Sequence, residues 1–290
     1  MKNLTKLTAL TLTAALALTA ALALTACGSS AATTVPAAES AAGSTAEAAS
    51  GDLLSEIRAK GTITVAMEGT WAPWTYHDEN DNLVGYDVEV ATEIAKKLGV
   101  EPQFVEGEWD VLLAGLDAGR YDIMVNGVDI TEERSEKYDF STPYAYNRTA
   151  VIVGSDNDTI HSLEDLKGKH TANTISSTYA QLAEQYGAEV TGVDDLNQTV
   201  ELLQAGRVDA TLNAEVTFYD YMKAKPDAGL KIAALTEDAS QVCFPMRKGD
   251  ETATLRAAID DALAELREAG TLSEISIKYL GSDITQAPNA

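Results

Sequence analysis

Cysteine, histidine and basic residues are scarce in this chain. Its 290 residues include two Cys and three His, and 21 Lys and Arg stand against 45 Asp and Glu, for a formal net charge of −24. The three histidines, His77, His161 and His170, are scattered, with no i, i+4 pair and no Cys beside them. That pattern gives no support to a metal site. There is also no G-x-S-x-G and no Cys–His arrangement, so no catalytic residue and no cofactor are assigned. The shortage of basic residues excludes nucleic acid as a partner, because binding it needs basic patches. Such acidity suits an exported domain that does not adhere to anionic lipid headgroups.

The N-terminus has its own composition. Lys2 and Lys6 precede a run from Leu7 to Ala26 made only of Leu, Ala and Thr. A positive n-region before an apolar h-region is an export signal. The run is nearly long enough to span a membrane, but Leu24-Thr25-Ala26-Cys27 resembles a bacterial lipobox. That resemblance implies that Cys27 is acylated, becomes the mature N-terminus and anchors the chain to the membrane without spanning it. Residues 1–26 are therefore expected to be a lipoprotein signal peptide. Residues 27–51 hold no large apolar residue except Val35 and read as a disordered tether. With Cys27 taken by lipid, Cys243 has no partner, and no disulfide is expected. Its setting, Val242-Cys243-Phe244, reads as a buried, inert thiol.

From Asp52 onward the chain alternates short strands and helices. Ser55 to Lys60 reads as a helix, Thr62 to Ala66 as a strand, and Val88, Ala91, Ile94, Ala95 and Leu98 as the inner face of a helix closed by Gly99. Gln103 to Val105 is a second strand. Trp109 to Ala118 is a helix with Val111, Leu112 and Leu116 inward, and Tyr121 to Val125 is a strand. The rhythm repeats: Lys169 to Asn173 and Ala210 to Leu212 read as strands, and Tyr179 to Tyr186 and Val200 to Ala205 as helices. Leu116-Asp117-Ala118-Gly119-Arg120-Tyr121-Asp122 echoes Leu203-Gln204-Ala205-Gly206-Arg207-Val208-Asp209. Two α/β lobes of similar build are expected, each a mainly parallel sheet flanked by helices.

The most informative stretch is Asp122 to Tyr144, DIMVNGVDITEERSEKYDFSTPY. A short apolar strand ends at Asn126-Gly127, cap-type residues Asp129 and Thr131 follow, and a helix begins with Arg134 in its first turn. Exposed N–H groups at a helix start can hold a carboxylate, and an Arg there makes sense if it grips the same anion with paired hydrogen bonds. The whole stretch closely resembles the signature of family 3 extracellular solute-binding proteins, the polar amino-acid-binding proteins of ABC importers. The resemblance covers nearly all of the chain beyond the tether. It implies a two-lobed periplasmic-binding-protein fold of type II. Its first lobe would take residues 52–148 and 241–290 and its second 149–240, with ligand in the cleft at the strand ends.

Site residues follow from the same resemblance. Trp71 and Trp109 match aromatic positions that sandwich the ligand, where each contact with a cationic group is worth ~0.5–2 kcal/mol. Trp74, behind Pro73, reads as core. Glu68 matches a position facing the ligand side chain. Asn126 and Gly127 match positions whose backbone meets the ligand, and Arg134 matches the carboxylate-binding Arg. Ser176, Ser177 and Thr178 match a helix-start loop that offers donors to the same carboxylate, although Ser177 and Thr178 also suit a plain cap. Two departures are instructive. Asp129 stands where Ser or Thr is usual, and Ala214 stands where an Asp normally holds the ligand's ammonium. An uncompensated buried ammonium is costly, so either Asp129, with Glu215 as second candidate, supplies the missing carboxylate, or Asp129 caps its helix and the ligand is not an ordinary α-amino acid.

The implied function is that of an extracytoplasmic, lipid-anchored monomer that captures a polar amino acid and delivers it to an ABC permease and its ATPase subunit, with no chemistry of its own. Tyr138 to Tyr144 and Thr271 to Thr285 resemble cystine-binding members, while Glu68 suits a basic side chain. Both ligand classes stay open. The alternatives are an enzyme like cyclohexadienyl dehydratase on the same fold, using Glu68 or Asp129 as acid or base, and a ligand sensor for a membrane receptor.

Overall fold

The computed structural model describes residues 51–287. The expected signal segment, the lipidation of Cys27 and the tether up to residue 50 lie outside the described residues. No helix among the described residues is long and apolar enough to cross a membrane.

The first lobe opens with α1 (Leu53–Lys60), capped by the Asp52 carboxylate on the Ser55 N–H at 3.2 Å. It continues with β1 (Thr62–Met67) and a small antiparallel meander of β2 (Thr70–Trp71), β3 (Thr75–His77) and β4 (Leu83–Val84). Next come α2 (Tyr86–Leu98), β5 (Glu101–Glu106), α3 (Trp109–Asp117), β6 (Ile123–Met124), α4 (Glu132–Lys137) and β7 (Tyr138–Phe140). The sheet has the order β5-β1-β6 and is parallel throughout. Its strands carry the buried Ile63, Val65, Met67 and Ile123, and α2 covers them with Val90, Ala91, Ile94 and Ala95. Each fully buried aliphatic of this kind contributes about 1.5–3 kcal/mol. The expected inward face of α3 is corrected at one position. Leu112 and Leu116 are buried, but Val111 is 47% exposed, because a helix cannot turn three residues so closely spaced as 111, 112 and 116 onto one narrow face.

The chain then runs through β8 (Ala145–Asn147) into β9 (Thr149–Gly154), the central strand of a second sheet. There follow β10 (His170–Asn173), α5 (Thr178–Gln185), β11 (Glu189–Gly192), α6 (Leu196–Gln204), β12 (Thr211–Ala214), α7 (Glu215–Ala224) and β13 (Leu230–Leu235). Here β10 pairs β11 in parallel, and Thr171 bridges Ala210 in parallel. Around β9 the pairing is antiparallel, with β12 on one side and β13 on the other. The entering strand β9 runs against its neighbours, so the second lobe is less uniformly parallel than the first. The chain returns as β14 (Ser240–Val242), antiparallel to β8, and β15 (Pro245–Arg247), antiparallel to β7. It ends in α8 (Ala253–Glu268) and α9 (Thr271–Leu280), whose Leu255, Ile259, Leu263, Leu272 and Ile275 complete the first core.

The two lobes touch across a cleft. Trp71 Nε1 donates to Asn213 Oδ1 at 3.2 Å, and Trp74 Nε1 to Thr217 Oγ1 at 3.2 Å. The Ser176 hydroxyl is hydrogen-bonded to Asp110 at the rim. This is a closed arrangement.

Candidate functional site

The cleft takes in about 620 Å³ of space not filled by atoms, open solvent at its mouth included. From the first lobe it is lined by Glu68, Thr70, Trp71, Trp109, Asn126, Gly127, Asp129 and Arg134. The second lobe adds Asn173, Thr174, Ser177, Thr178, Tyr179, Asp195, Leu196, Thr199 and Asn213. The first-lobe residues sit where β1 and β6 end, at the β2 corner and at the start of α3. The second-lobe residues sit at the ends of β10 and β12 and the starts of α5 and α6.

Glu68 follows β1 directly. Its N–H donates to Asn126 Oδ1 at 2.9 Å, and Asn126 Nδ2 donates back to the Glu68 carboxylate at 2.6 Å. Burial pushes the Glu68 carboxyl up to about 7, with Asp195 and Asp110 adding to the rise and the Asn126 amide opposing it. Trp71 stacks on Trp74, 5.3 Å between ring centroids. Trp74 is fully buried and outside the cavity, as its position behind Pro73 suggests. Gly127 has a φ of 55°, and a Cβ there would lie 2.6 Å from Trp71 Cζ3, so only glycine lets this turn pass under the indole. The Gly127 N–H is already given to Asp87 Oδ2 at 2.6 Å. It therefore has no hydrogen to offer a ligand at the same time. Asp87 also accepts from the Tyr144 hydroxyl at 2.7 Å, and burial pushes its carboxyl up to about 7.

Arg134 lies in the first turn of α4, beneath the Thr131 cap. It is buried, and its guanidinium carbon is 5.2 Å from the centroid of the Trp109 ring. Nη1 donates to the Asp129 carbonyl at 2.9 Å and Nη2 to the Ser176 carbonyl at 3.3 Å. A guanidinium has five N–H donors, so three remain after these two bonds. The Asp129 carboxylate accepts from Thr178 Oγ1 at 2.7 Å and from Ser240 Oγ at 2.6 Å. Burial raises its pKa, while the two hydroxyls and the Arg134 charge oppose the rise. Ser177 caps α5, its Oγ accepting from the Ala180 N–H at 3.1 Å and donating to the Thr174 carbonyl at 2.6 Å. Asp195 caps α6 in the same way, on the Gln198 N–H at 3.0 Å.

Nine of the twelve residues expected from sequence line the cavity: Glu68, Trp71, Trp109, Asn126, Gly127, Asp129, Arg134, Ser177 and Thr178. Three do not. The Ser176 side chain turns outward to Asp110, leaving its carbonyl to Arg134. Ala214 is buried beneath the wall, its N–H on Asn213 Oδ1 at 2.8 Å. Glu215 is held away by Arg148 in two hydrogen bonds of 2.9 and 3.0 Å, which its position at the start of α7 favours. Sequence reasoning missed Asn173, Asp195, Thr199 and Asn213. Asn213 left a signal as a lone amide within the apolar run Ala210 to Ala214. Asp195 and Thr199 are one helical turn apart on α6 and share a face.

Fold and cleft together define a two-lobed α/β ligand-binding protein. The chain belongs to the bacterial extracellular solute-binding proteins, family 3, whose model matches residues 63–282. It is 42% identical over 237 residues to the L-cystine-binding protein TcyA of Bacillus subtilis (strain 168), covering 81% of this chain and 87% of the relative. Among solved structures it is similar to an ancestral arginine-binding protein bound to arginine, at 37% identity and a TM-score of 0.71, covering 76% of this chain and 98% of that one. It is also similar to the L-cystine solute receptor of Neisseria gonorrhoeae in the unliganded open conformation, at 39% identity, covering 81% of this chain and 100% of that one. There the TM-score is 0.56. The better fit to a ligand-bound structure at similar identity agrees with the closed cleft seen here.

Proposed function

We propose that this protein captures one polar amino acid between its lobes and hands it to an ABC importer. The observation that carries the reading is the buried Arg134 guanidinium. It faces the cleft cavity, donates to two carbonyl oxygens and, among the described residues, to no carboxylate, and has N–H donors beyond those two bonds. An α-carboxylate fits those donors in the paired geometry guanidinium prefers. The first turn of α5 brings a second set of donors from the other lobe. Trp71 and Trp109 wall the remaining ligand. Relatives named for cystine and structural neighbours named for arginine support an amino-acid ligand and leave those two as the leading candidates.

In this reading the lobes divide at 52–148 with 241–290, and at 149–240, and the antiparallel pair β8–β14 is the hinge. Cys27 carries the lipid anchor outside the cytoplasm, the working unit is a monomer, and the partners are a permease and its ATPase subunit. No step of chemistry is assigned. One observation favours a second reading: a carboxyl titrating near 7 at Glu68 would suit a general acid of an elimination enzyme. The two separate on ligand recovered after incubation, intact for a carrier and converted for an enzyme. The test in cells is uptake. A strain lacking this chain should lose uptake of its amino acid and regain it with the unaltered chain but not with Arg134→Ala. Full uptake with Arg134→Ala would overturn the proposal.

A further inference from the structure

We infer that Asp129 is the counter-charge for the α-ammonium of the ligand, and that the same carboxylate, through Thr178 and Ser240, holds the cleft shut around it. The inference rests on the amino-acid reading above and names the group that completes it.

Asp129 is only 5% exposed, yet it lines the cavity. Its two oxygens accept from two neutral hydroxyls, Thr178 on Oδ2 and Ser240 on Oδ1. The nearby cation, Arg134, gives its N–H groups to the Asp129 carbonyl and to Ser176, not to the carboxylate. The other titratable groups beside it are kept neutral by burial: the Tyr179 hydroxyl lies well above its ordinary range, and the Cys243 thiol is pushed up to about 12. A carboxylate offers about four acceptor positions, so roughly two remain. An ionised carboxylate buried among hydroxyls is poorly compensated. A ligand ammonium in the cavity would supply the missing charge beside the carboxylate group gripped by Arg134.

This side chain and its two partners belong to three parts of the molecule. Asp129 lies in the turn between β6 and α4 and is bridged to Val242. Ser240 opens β14, which crosses between the lobes beside β8, and its hydroxyl is also 3.1 Å from the Asn147 carbonyl on that strand. Thr178 is the first residue of α5 in the second lobe. Opening the cleft must break the Thr178 bond. A charge that fixes the Asp129 carboxylate in its ionised form strengthens that bond, since acceptors that carry charge make the stronger hydrogen bonds. Binding and closure are thus read by one group.

The test is calorimetric titration of the purified full chain with two matched pairs of probes. These are L-arginine with 5-guanidinopentanoate, and L-cystine with 3,3′-dithiodipropionate, the second member of each lacking the amine. The unaltered chain should bind the amino acid of at least one pair about 100-fold tighter than its amine-free partner. In Asp129→Asn that preference should fall below about tenfold, the amine-free partner binding about as before. Asp129→Ser serves as a second uncharged variant should the amide fail to fold. Thr178→Val should weaken both members of the pair by a common factor and retain the preference. A preference near 100-fold surviving in a folded Asp129→Asn, or vanishing in Thr178→Val, overturns the inference while leaving the amino-acid reading in place. If neither amino acid binds the unaltered chain, the cystine or basic amino-acid reading fails, and the inference falls with it.

Discussion

Arg134→Ala isolates the interaction on which the functional reading depends. The guanidinium keeps three N–H donors beyond those given to Asp129 and Ser176. Two of them suffice for a fork on a carboxylate. A hydrogen bond to a charged group is worth about 1.5–3 kcal/mol, so the pair is worth roughly 3–6 kcal/mol. At about 1.4 kcal/mol per tenfold, affinity should fall between about 100-fold and about 20,000-fold. Stability should respond far less. The variant loses one good hydrogen bond and the contact with Trp109, each about 1 kcal/mol, and it is relieved of a buried cation. Arg134→Lys keeps a charge but not the fork and should lose about tenfold. Titration calorimetry gives the affinities, and a denaturant melt shows whether the fold survives. A folded Arg134→Ala whose affinity stays within about threefold of the unaltered chain would refute the reasoning.

Three further outcomes follow from the geometry. The folded forms of Asp87 and Glu68 hold their protons to about pH 7, whereas their ordinary values are 3.8 and 4.5. The stability they contribute is therefore full at low pH and is lost as pH rises from about 4 to about 7, by roughly 4 kcal/mol at most for Asp87. Asp87→Asn should flatten that slope in melts taken across the range, and a slope unchanged by it contradicts the assignment. Gly127→Ala drives a methyl into Trp71 at a φ of 55° and should cost about 1–3 kcal/mol and also weaken ligand, so normal binding by this variant would place the ligand away from Trp71. Glu215→Gln should leave affinity within about twofold, because Glu215 serves Arg148 outside the cavity, and a tenfold loss would return it to the site.

Much of the fold is local and was legible. Gly99 ends α2 in the left-handed conformation, as a glycine there indicates, whereas the Asp52 cap starts α1 two residues before Ser55. The helix boundaries from sequence fall within a few residues of those found. Arg134, Asn126 and Gly127 were legible because one continuous stretch carries them. What was not legible depends on contacts far apart in the chain. The Gly127 N–H is consumed by Asp87, 40 residues earlier. Asn173 comes to line the cavity through the packing of chain segments far apart in sequence, and no local pattern reports that. Glu215 resembled a candidate until Arg148, 67 residues away, was seen to hold it. Val111 was misplaced for a simpler reason, since an apolar residue on a short helix leaves its phase ambiguous by one position.

The central claim is that the closed cleft belongs to an amino acid. Thermal melting of the purified chain against the full set of amino acids, with L-cystine among them, tests it most directly. A ligand that binds only the folded state at 100 times its dissociation constant adds about 2.7 kcal/mol. The account predicts a clear rise in melting temperature with cystine or a basic amino acid, absent in Arg134→Ala. No rise with any amino acid, or a rise that Arg134→Ala retains in full, would contradict it.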